Sequence, residues 1–315
     1  MKEVLQIAKV SLSLLLLVLL CESVSNAGDR SGTVSAQFLK IPLSARAVGM
    51  GGAQVAVAEG VASIGYNPAG MMSVTDYAFG ATYTSWFANI QHSHMGIVKN
   101  FPGIGALGVS LTLLTTDDME VTTPSHPEGT GENFRASDYA FSVAYARQVS
   151  DKFMVGVNAK IIKSYLYNTD IGASAFAFDI GTLYDIPRLR CRLGVSLTNI
   201  GKDVQYLNEP YSLPTSLRFG VLVDAFNEGN HQLKTTIQIS RNNDTEEQYN
   251  VGGEYMFNGM FALRAGYKFA YDTEDLTAGF GASLNSLGIN GTFDYGYNNF
   301  KFLPGTHSFT FNIQF

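Results

Sequence analysis

The chain has 315 residues and is 46% hydrophobic, yet only 15% of it is charged, against about 25% in an ordinary globular domain. That apolar content excludes intrinsic disorder, the 32 glycines exclude a coiled coil, and a net charge of −6 gives no sign of a nucleic-acid partner. A bundle of membrane helices is excluded too, since each would need about 20 consecutive apolar residues and only the extreme N-terminus approaches that.

The first element in chain order is an export signal. Lys2 and Lys9 stand at its start, an apolar run follows from Val10 to Leu20, and Ser25-Asn26-Ala27 ends on small residues. This order predicts a secretory signal over 1–27, cleaved after Ala27. A membrane anchor is the alternative, and the shortness of the run argues against it. Cys21 raises lipoprotein processing, which Leu20 disfavours because a small residue is needed there. Without the signal, Cys191 is the sole cysteine, so no internal disulfide can form.

Residues 28–76 form the next unit, and within it 42–75 do not alternate. Ser44-Ala45-Arg46-Ala47-Val48-Gly49-Met50-Gly51-Gly52-Ala53 leads into small and apolar residues, then Asn67-Pro68-Ala69-Gly70. Short helices broken by glycine are expected, with Asn67-Pro68 opening the last turn. So much Ala, Val and Met would be costly in water, which favours a plug inside a barrel over a tail in the periplasm.

From Tyr77 to Phe315 the pattern has period two. Tyr139, Phe141, Val143 and Tyr145 alternate with Ala140, Ser142, Ala144 and Ala146, and Leu217, Phe219, Val221 and Val223 with Ser216, Arg218, Gly220 and Asp224. Successive side chains on a strand point to opposite faces, so each segment has an oily face and a polar one. Strands are expected at 77–87, 92–100, 104–115, 137–148, 153–165, 172–184, 189–199, 216–226, 232–241, 247–257, 261–271, 276–285, 288–297 and 306–315. A soluble sandwich would alternate as well. The segments are longer than the usual five or six residues or so and suit a tilted membrane strand. Aromatics near their ends (Tyr83 and Trp86, Tyr165 and Tyr167, Tyr184, Tyr255 and Phe257, Tyr267 and Phe269) suit an interface girdle.

The fold expected is therefore all-β: a fourteen-stranded antiparallel transmembrane β-barrel with an N-terminal plug, or hatch. Connections alternate in length, with the long ones at 116–136 and 200–215, which predicts periplasmic short turns and both termini in the periplasm. The last strand places Phe309, Phe311, Ile313 and Phe315 on one face and ends on an aromatic. It resembles the signal read by the outer-membrane barrel assembly machinery.

Charges on the polar faces (Arg190, Arg192, Arg218, Asp224, Lys234, Glu254, Arg264, Lys268 and Asp294) are expected to point into the lumen. An Arg or Lys at midplane on the lipid face would cost roughly 2–4 kcal/mol. They either pair to hold the plug and stiffen the wall or line a permeation route. Glu254 with Arg264 is the first pair to examine, and Arg46 is a candidate partner for Glu254 or Asp294. Gly103-Ile104-Gly105-Ala106-Leu107-Gly108 has the spacing of a dinucleotide fingerprint, but a strand rather than a helix is expected to follow. His92 and His94 share a strand face as a metal pair could, though an ordinary rim position is the reading preferred. No constellation suggests catalysis, a cofactor or a metal centre.

Arg46-Ala47-Val48-Gly49-Met50-Gly51-Gly52-Ala53 followed by Asn67-Pro68-Ala69-Gly70 resembles the N-terminal hatch of the long-chain fatty acid transporter (FadL-like) superfamily, and more closely its PorV/PorQ branch. Leu213-Pro214-Thr215-Ser216-Leu217-Arg218-Phe219-Gly220, Gly252-Gly253-Glu254-Tyr255 and Leu263-Arg264-Ala265-Gly266-Tyr267 are similar to that branch's barrel motifs. The resemblance covers the whole mature chain. It implies a fourteen-stranded bacterial outer-membrane barrel in contact with lipid. It further implies a non-enzymatic role in type IX secretion, with secretion-system proteins and the C-terminal signals of cargo as partners. The wider superfamily implies the alternative of a passive channel for a hydrophobic ligand such as a fatty acid or an aromatic. In that mechanism the ligand leaves through a strand defect, which Gly105 and Gly108 could mark. Uptake further predicts an apolar outer pocket lined by Phe, Leu and Met from 116–136 and 200–215.

Overall fold

The computed structural model describes residues 32–167, 171–206 and 209–315; the predicted signal, 1–27, lies outside the described residues. Among these residues fourteen antiparallel strands close into a ring. The first seven are β1 (Tyr77–Ser85), β2 (Gln91–Phe101), β3 (Gly105–Thr115), β4 (Ser137–Ser150), β5 (Phe153–Tyr167), β6 (Ile171–Ile186) and β7 (Cys191–Gly201). The rest are β8 (Ser216–Glu228), β9 (His231–Asn242), β10 (Glu247–Phe257), β11 (Phe261–Phe269), β12 (Glu274–Ser283), β13 (Gly291–Phe300) and β14 (Thr306–Gln314). Each strand pairs with its neighbours in sequence, and β14 returns to β1 with Phe309 opposite Tyr83. No edge is left open, so every strand has a partner on both sides, as lipid requires. Two short ribbons, Met119–Glu120 with Asn133–Phe134 and Val204–Tyr206 with Glu209–Tyr211, stiffen the two long connections.

The two faces of the ring are inverted relative to a soluble protein. Phe141, Phe176, Phe219 and Leu263 are 47%, 65%, 50% and 59% exposed, whereas Ala140, Ser142, Ala262 and Arg264 between or beside such residues are 7% or less. The oily residues face out and the small and polar ones face in. Tyr83, Tyr184, Tyr255, Phe257, Tyr267 and Phe269 lie on the outer face as expected of a girdle. Trp86 does not: it turns inward and packs edge-on against Phe300, their ring centres 5.5 Å apart.

Strand bounds follow the expected ones closely, with two shifts that have a local cause. Asn285–Leu287 forms a single 3-10 turn that ends on Gly288 at φ +76°, so β13 begins at Gly291 rather than 288. Pro187–Leu189 forms another, and Arg190 closes it at φ +49°. Arg190 is thus an exposed turn residue and not a lumen charge.

Residues 34–74 pack against inward-facing residues of the ring. Ser44 caps α1 (Ala45–Gly49) by accepting from Ala47 N at 3.2 Å, and α2 (Ser63–Tyr66) precedes a 3-10 turn over Pro68–Ser73. Asn67 caps that turn, its Oδ1 accepting from Ala69 N at 3.3 Å, with Pro68 in the first position where its missing N–H costs nothing. The strand ends define two mouths. At the turn end Tyr77 and Phe315, the two ends of the barrel, exchange main-chain hydrogen bonds of 3.3 and 2.9 Å. At the loop end Val34 bridges Ser212, and Ser35 N donates to the Ser212 carbonyl at 2.9 Å. The first described residues therefore sit at the mouth opposite to Phe315.

Candidate functional site

The inner segment is tied to the wall by an ionic cluster around Arg46 and, at the loop end, by the ion pair of Lys40 with Asp244 at 2.5 Å. Arg46, on α1, makes a two-pronged contact with Glu254 of β10 (Nε–Oε2 and Nη2–Oε1, both 2.8 Å) and donates to Glu59 Oε2 at 3.0 Å. Glu254 Oε2 also accepts from Arg264 Nε of β11 at 2.7 Å, and Arg264 Nη1 donates to Asp294 Oδ1 of β13 at 2.7 Å. Asp294 Oδ2 accepts from Thr292 Oγ1 at 3.1 Å. Burial works against the Arg46 charge, but Glu254 and Glu59 outweigh it and hold the guanidinium above its ordinary pKa. The cluster ties three strands and the inner segment together through charge-assisted hydrogen bonds, which are stronger than neutral ones.

Alongside, the glycines of the segment permit main-chain contact with the wall. A Cβ on Gly49 would lie 2.9 Å from Gly279 Cα, and one on Gly266 would lie 2.2 Å from Gly51 N. Gly51 and Gly52 have φ of +67° and +76°, which glycine adopts without strain. Gln238 Oε1 accepts from both Gln54 N and Val55 N at 2.9 Å. On the other side Asn67 Nδ2 donates to the carbonyls of Val55 and Thr182 at 2.8 and 3.0 Å, and Pro68 and Ala69 press on Gly156.

The remaining lumen charges disperse. Lys268 pairs with Glu274, Arg192 donates to Asp185 at 2.6 Å, and Asp224 lies opposite Lys234 in register. Arg218 lines the loop-end cavity together with Tyr66 and Tyr271. Burial pushes the Tyr66 phenol up to about 12, and its oxygen accepts from Leu43 N at 2.5 Å.

Sequence reasoning missed a second buried network. Lys160 and Asp179 form an ion pair at 2.9 Å, Asp179 Oδ2 accepts from Asn158 Nδ2 at 2.9 Å, and its Oδ1 accepts from Asn199 N at 2.7 Å. It sits where the β6–β7 register shifts and Asn199 takes φ +60°. The signal was available: Lys160 and Asp179 are lone charges on the polar faces of adjacent strands.

Two cavities lie on either side of the inner segment, and no residue lines both. The loop-end cavity is about 500 Å³, with an apolar side made by Phe38, Ile41, Pro42, Trp86 and Leu114 and a polar side that includes Arg218, Gln238, Asn250 and Lys268. The expected pocket differs: residues 37–42 and strand ends line it, not Phe, Leu and Met of the long connections. The turn-end cavity, about 330 Å³, is lined by Arg46, Glu59, Lys234, Glu254, Arg264 and Asp294.

Another expectation changes. Gly108 marks no wall defect, since the β2–β3 and β3–β4 registers run without a shift. A Cβ there would lie 2.6 Å from Met71 Sδ, so this glycine makes room for the inner segment. Gly105 opens β3 at φ +133°, so the Gly103–Gly108 stretch runs into a strand. His92 and His94 are 0% and 3% exposed on the inner face, with His92 one row from the loop end of β2.

A family model described as "Type IX secretion system protein PorV" matches residues 24–243. The chain belongs to the PorV family. Among solved structures it resembles the Ralstonia pickettii toluene transporter TbuX, with a TM-score of 0.60 and 15% identity over 87% of this chain and 98% of that one. It also resembles the CymD monoaromatic hydrocarbon channel (0.60, 13%, 87% and 98%) and a Pseudomonas aeruginosa FadL homologue (0.60, 10%, 87% and 98%). At such identities the likeness is one of fold. No curated protein matches the sequence. A closed ring with an oily exterior in this family is a bacterial outer-membrane β-barrel.

Proposed function

We propose that this PorV-family barrel is a non-enzymatic accessory of protein export across the outer membrane, receiving the C-terminal signals of secreted cargo and passing them to other components of a type IX-like system. The family match over residues 24–243 carries this reading. In it, residues 1–27 are removed on export, 28–76 act as the plug, and 77–315 form the membrane domain. The short turns, with Tyr77 and Phe315, face the periplasm, and Phe311, Ile313 and Phe315 are the face read by the assembly machinery. The loop end meets the cargo, where the connection over 202–215 is joined to the segment near Val34.

The plug motif has a distinct part in this reading. Arg46 is its latch, Gly49, Gly51 and Gly52 let it seat against β11 and β12, and Asn67, Pro68 and Ala69 seat it against β5 and β6. The lumen charges Glu254, Arg264 and Asp294 receive the latch, while Arg218 and Lys268 shape the loop-end cavity and Asp224 and Lys234 the opposite half.

The second reading, a passive channel for hydrophobic small molecules, is favoured by the apolar side of the loop-end cavity. Phe38 and Ile41 of that side belong to the inner segment, so a ligand there would press on the plug itself. The two readings separate on affinity purification from the native membrane. Secretion proteins or cargo that co-purify in stoichiometric amount support export. Retained fatty acid or aromatic, with no protein partner, supports the channel and sinks the first reading.

A further inference from the structure

Strand β2 carries His92 and His94 two positions apart, so both rings leave the same inner face of the wall. His94 Nδ1 lies 2.9 Å from Thr112 Oγ1, which fixes the ring. His94 Nε2 and both ring nitrogens of His92 are buried with no hydrogen-bond partner among the described residues. The neighbouring hydroxyls are already engaged. Thr84, opposite His92, bonds Ser308 at 2.8 Å, and Thr82, opposite His94, bonds Thr310 at 2.8 Å. Both nitrogens of His92 thus remain unpartnered beside a His94 ring that faces the Val61 main chain, and a buried polar group without a partner requires an explanation.

Geometry suggests what the partner is. Positions two apart on a strand are about 6.6–6.8 Å from each other. Imidazoles leaning from them converge on one ion at roughly 2.0–2.1 Å from each nitrogen. A ring whose second nitrogen is held by a hydroxyl is already oriented as metal-binding histidines are. Among the described residues no third His, Cys, Asp or Glu joins the pair. The donors are neutral nitrogens with no carboxylate, which selects against calcium and magnesium and for late first-row transition metals.

We propose that His92 and His94 form a binding site for a late first-row transition-metal ion, held by His94 Nε2 and one ring nitrogen of His92, with water and oxygen donors completing the shell. The inner segment is at hand to supply one: Val61 packs on Gly80 and Gly96, one row away, and its main chain faces the His94 ring. Leu114 lies opposite His92 in register and lines the loop-end cavity. Bound there, the ion fastens the inner segment to β2, on the wall that lacks the Arg46 cluster.

The test uses the mature protein in detergent, purified through a tag without histidines, stripped with chelator and titrated separately with Zn2+ and Cu2+. The expected result is one equivalent per chain, with Cu2+ binding more tightly than Zn2+, and a higher unfolding temperature with metal present. His92→Leu or His94→Leu should weaken binding by about 100-fold or more, while His126→Gln and His307→Gln leave it unchanged. Should the leucine variants fail to assemble, X-ray absorption on the unaltered protein decides: two imidazoles in the first shell support the site. A shell of oxygen alone, no saturable binding of either ion up to about 100 µM, or binding that persists in both leucine variants overturns it.

Discussion

The inner segment meets two walls of the ring by different kinds of contact. Toward β10–β13 it is held by ions: Arg46 reaches Glu254, which shares Arg264 with Asp294, and main chains touch at Gly51 and Gly266. Toward β2–β4 it is held by shape, with Ile64, Met71 and Val74 packed on Val98, Ala106, Ala144 and Ala146. An ionic contact is directional and fails as a unit, because each charge left behind is buried. An apolar contact is graded and tolerates a change of outline. The first wall fixes the segment in one pose; the second fills the space that remains.

That difference can be broken from the ionic side. Glu254→Ala strands Arg46 and Arg264 without their shared partner and should cost about 3–5 kcal/mol, read as a fall in the urea midpoint of the folded, heat-modifiable gel band. Charge reversal at Arg46 and at Glu254 should be strongly non-additive, with the double variant closer to the parent than the sum of the two. Simple additivity would remove the latch. Gly266→Ala pushes a methyl into the Gly51 main chain and should cost about 1–3 kcal/mol, with a leakier pore in planar bilayers as the second readout. On the apolar wall Met71→Leu keeps volume and should cost less than about 1.5 kcal/mol; a loss as large as that of Glu254→Ala would mean the walls do not differ. Smallest is Arg241→Ala, whose ion pair with Glu247 is exposed, with an expected change below about 0.5 kcal/mol in the same assay.

The barrel was legible because a strand's two-residue period is written directly into the order of side chains. Phe141 and Phe219 could be assigned to the outside, and Glu254 and Arg264 to the inside, from alternation alone. Depth and company were not legible. His92 and His94 share a face with Thr112 and Thr82 only once register is fixed, so their burial could not be read along the chain. Gly108 looked like a weak point because a glycine omits its reason; that reason is Met71, 37 positions earlier in the chain. Arg190 failed through turn chemistry, since Pro187 starts a turn that ends on it. The lining of the loop-end cavity was not legible, because Phe38, Ile41 and Pro42 reach that mouth from the inner segment, which no local pattern announces.

The seam between β14 and β1 has a bearing on how the molecule is made. The final strand is synthesised last, so the hoop stays open until the whole polypeptide is present. Val34 and Tyr77 stand at opposite mouths, and at glycines 266, 252 and 156 the contents meet the wall with no room for a methyl group. Threading that coil through a finished hoop would mean dragging Arg46 past a snug aperture. Pairing of β14 with β1 therefore completes an enclosure whose contents touch the staves main chain to main chain.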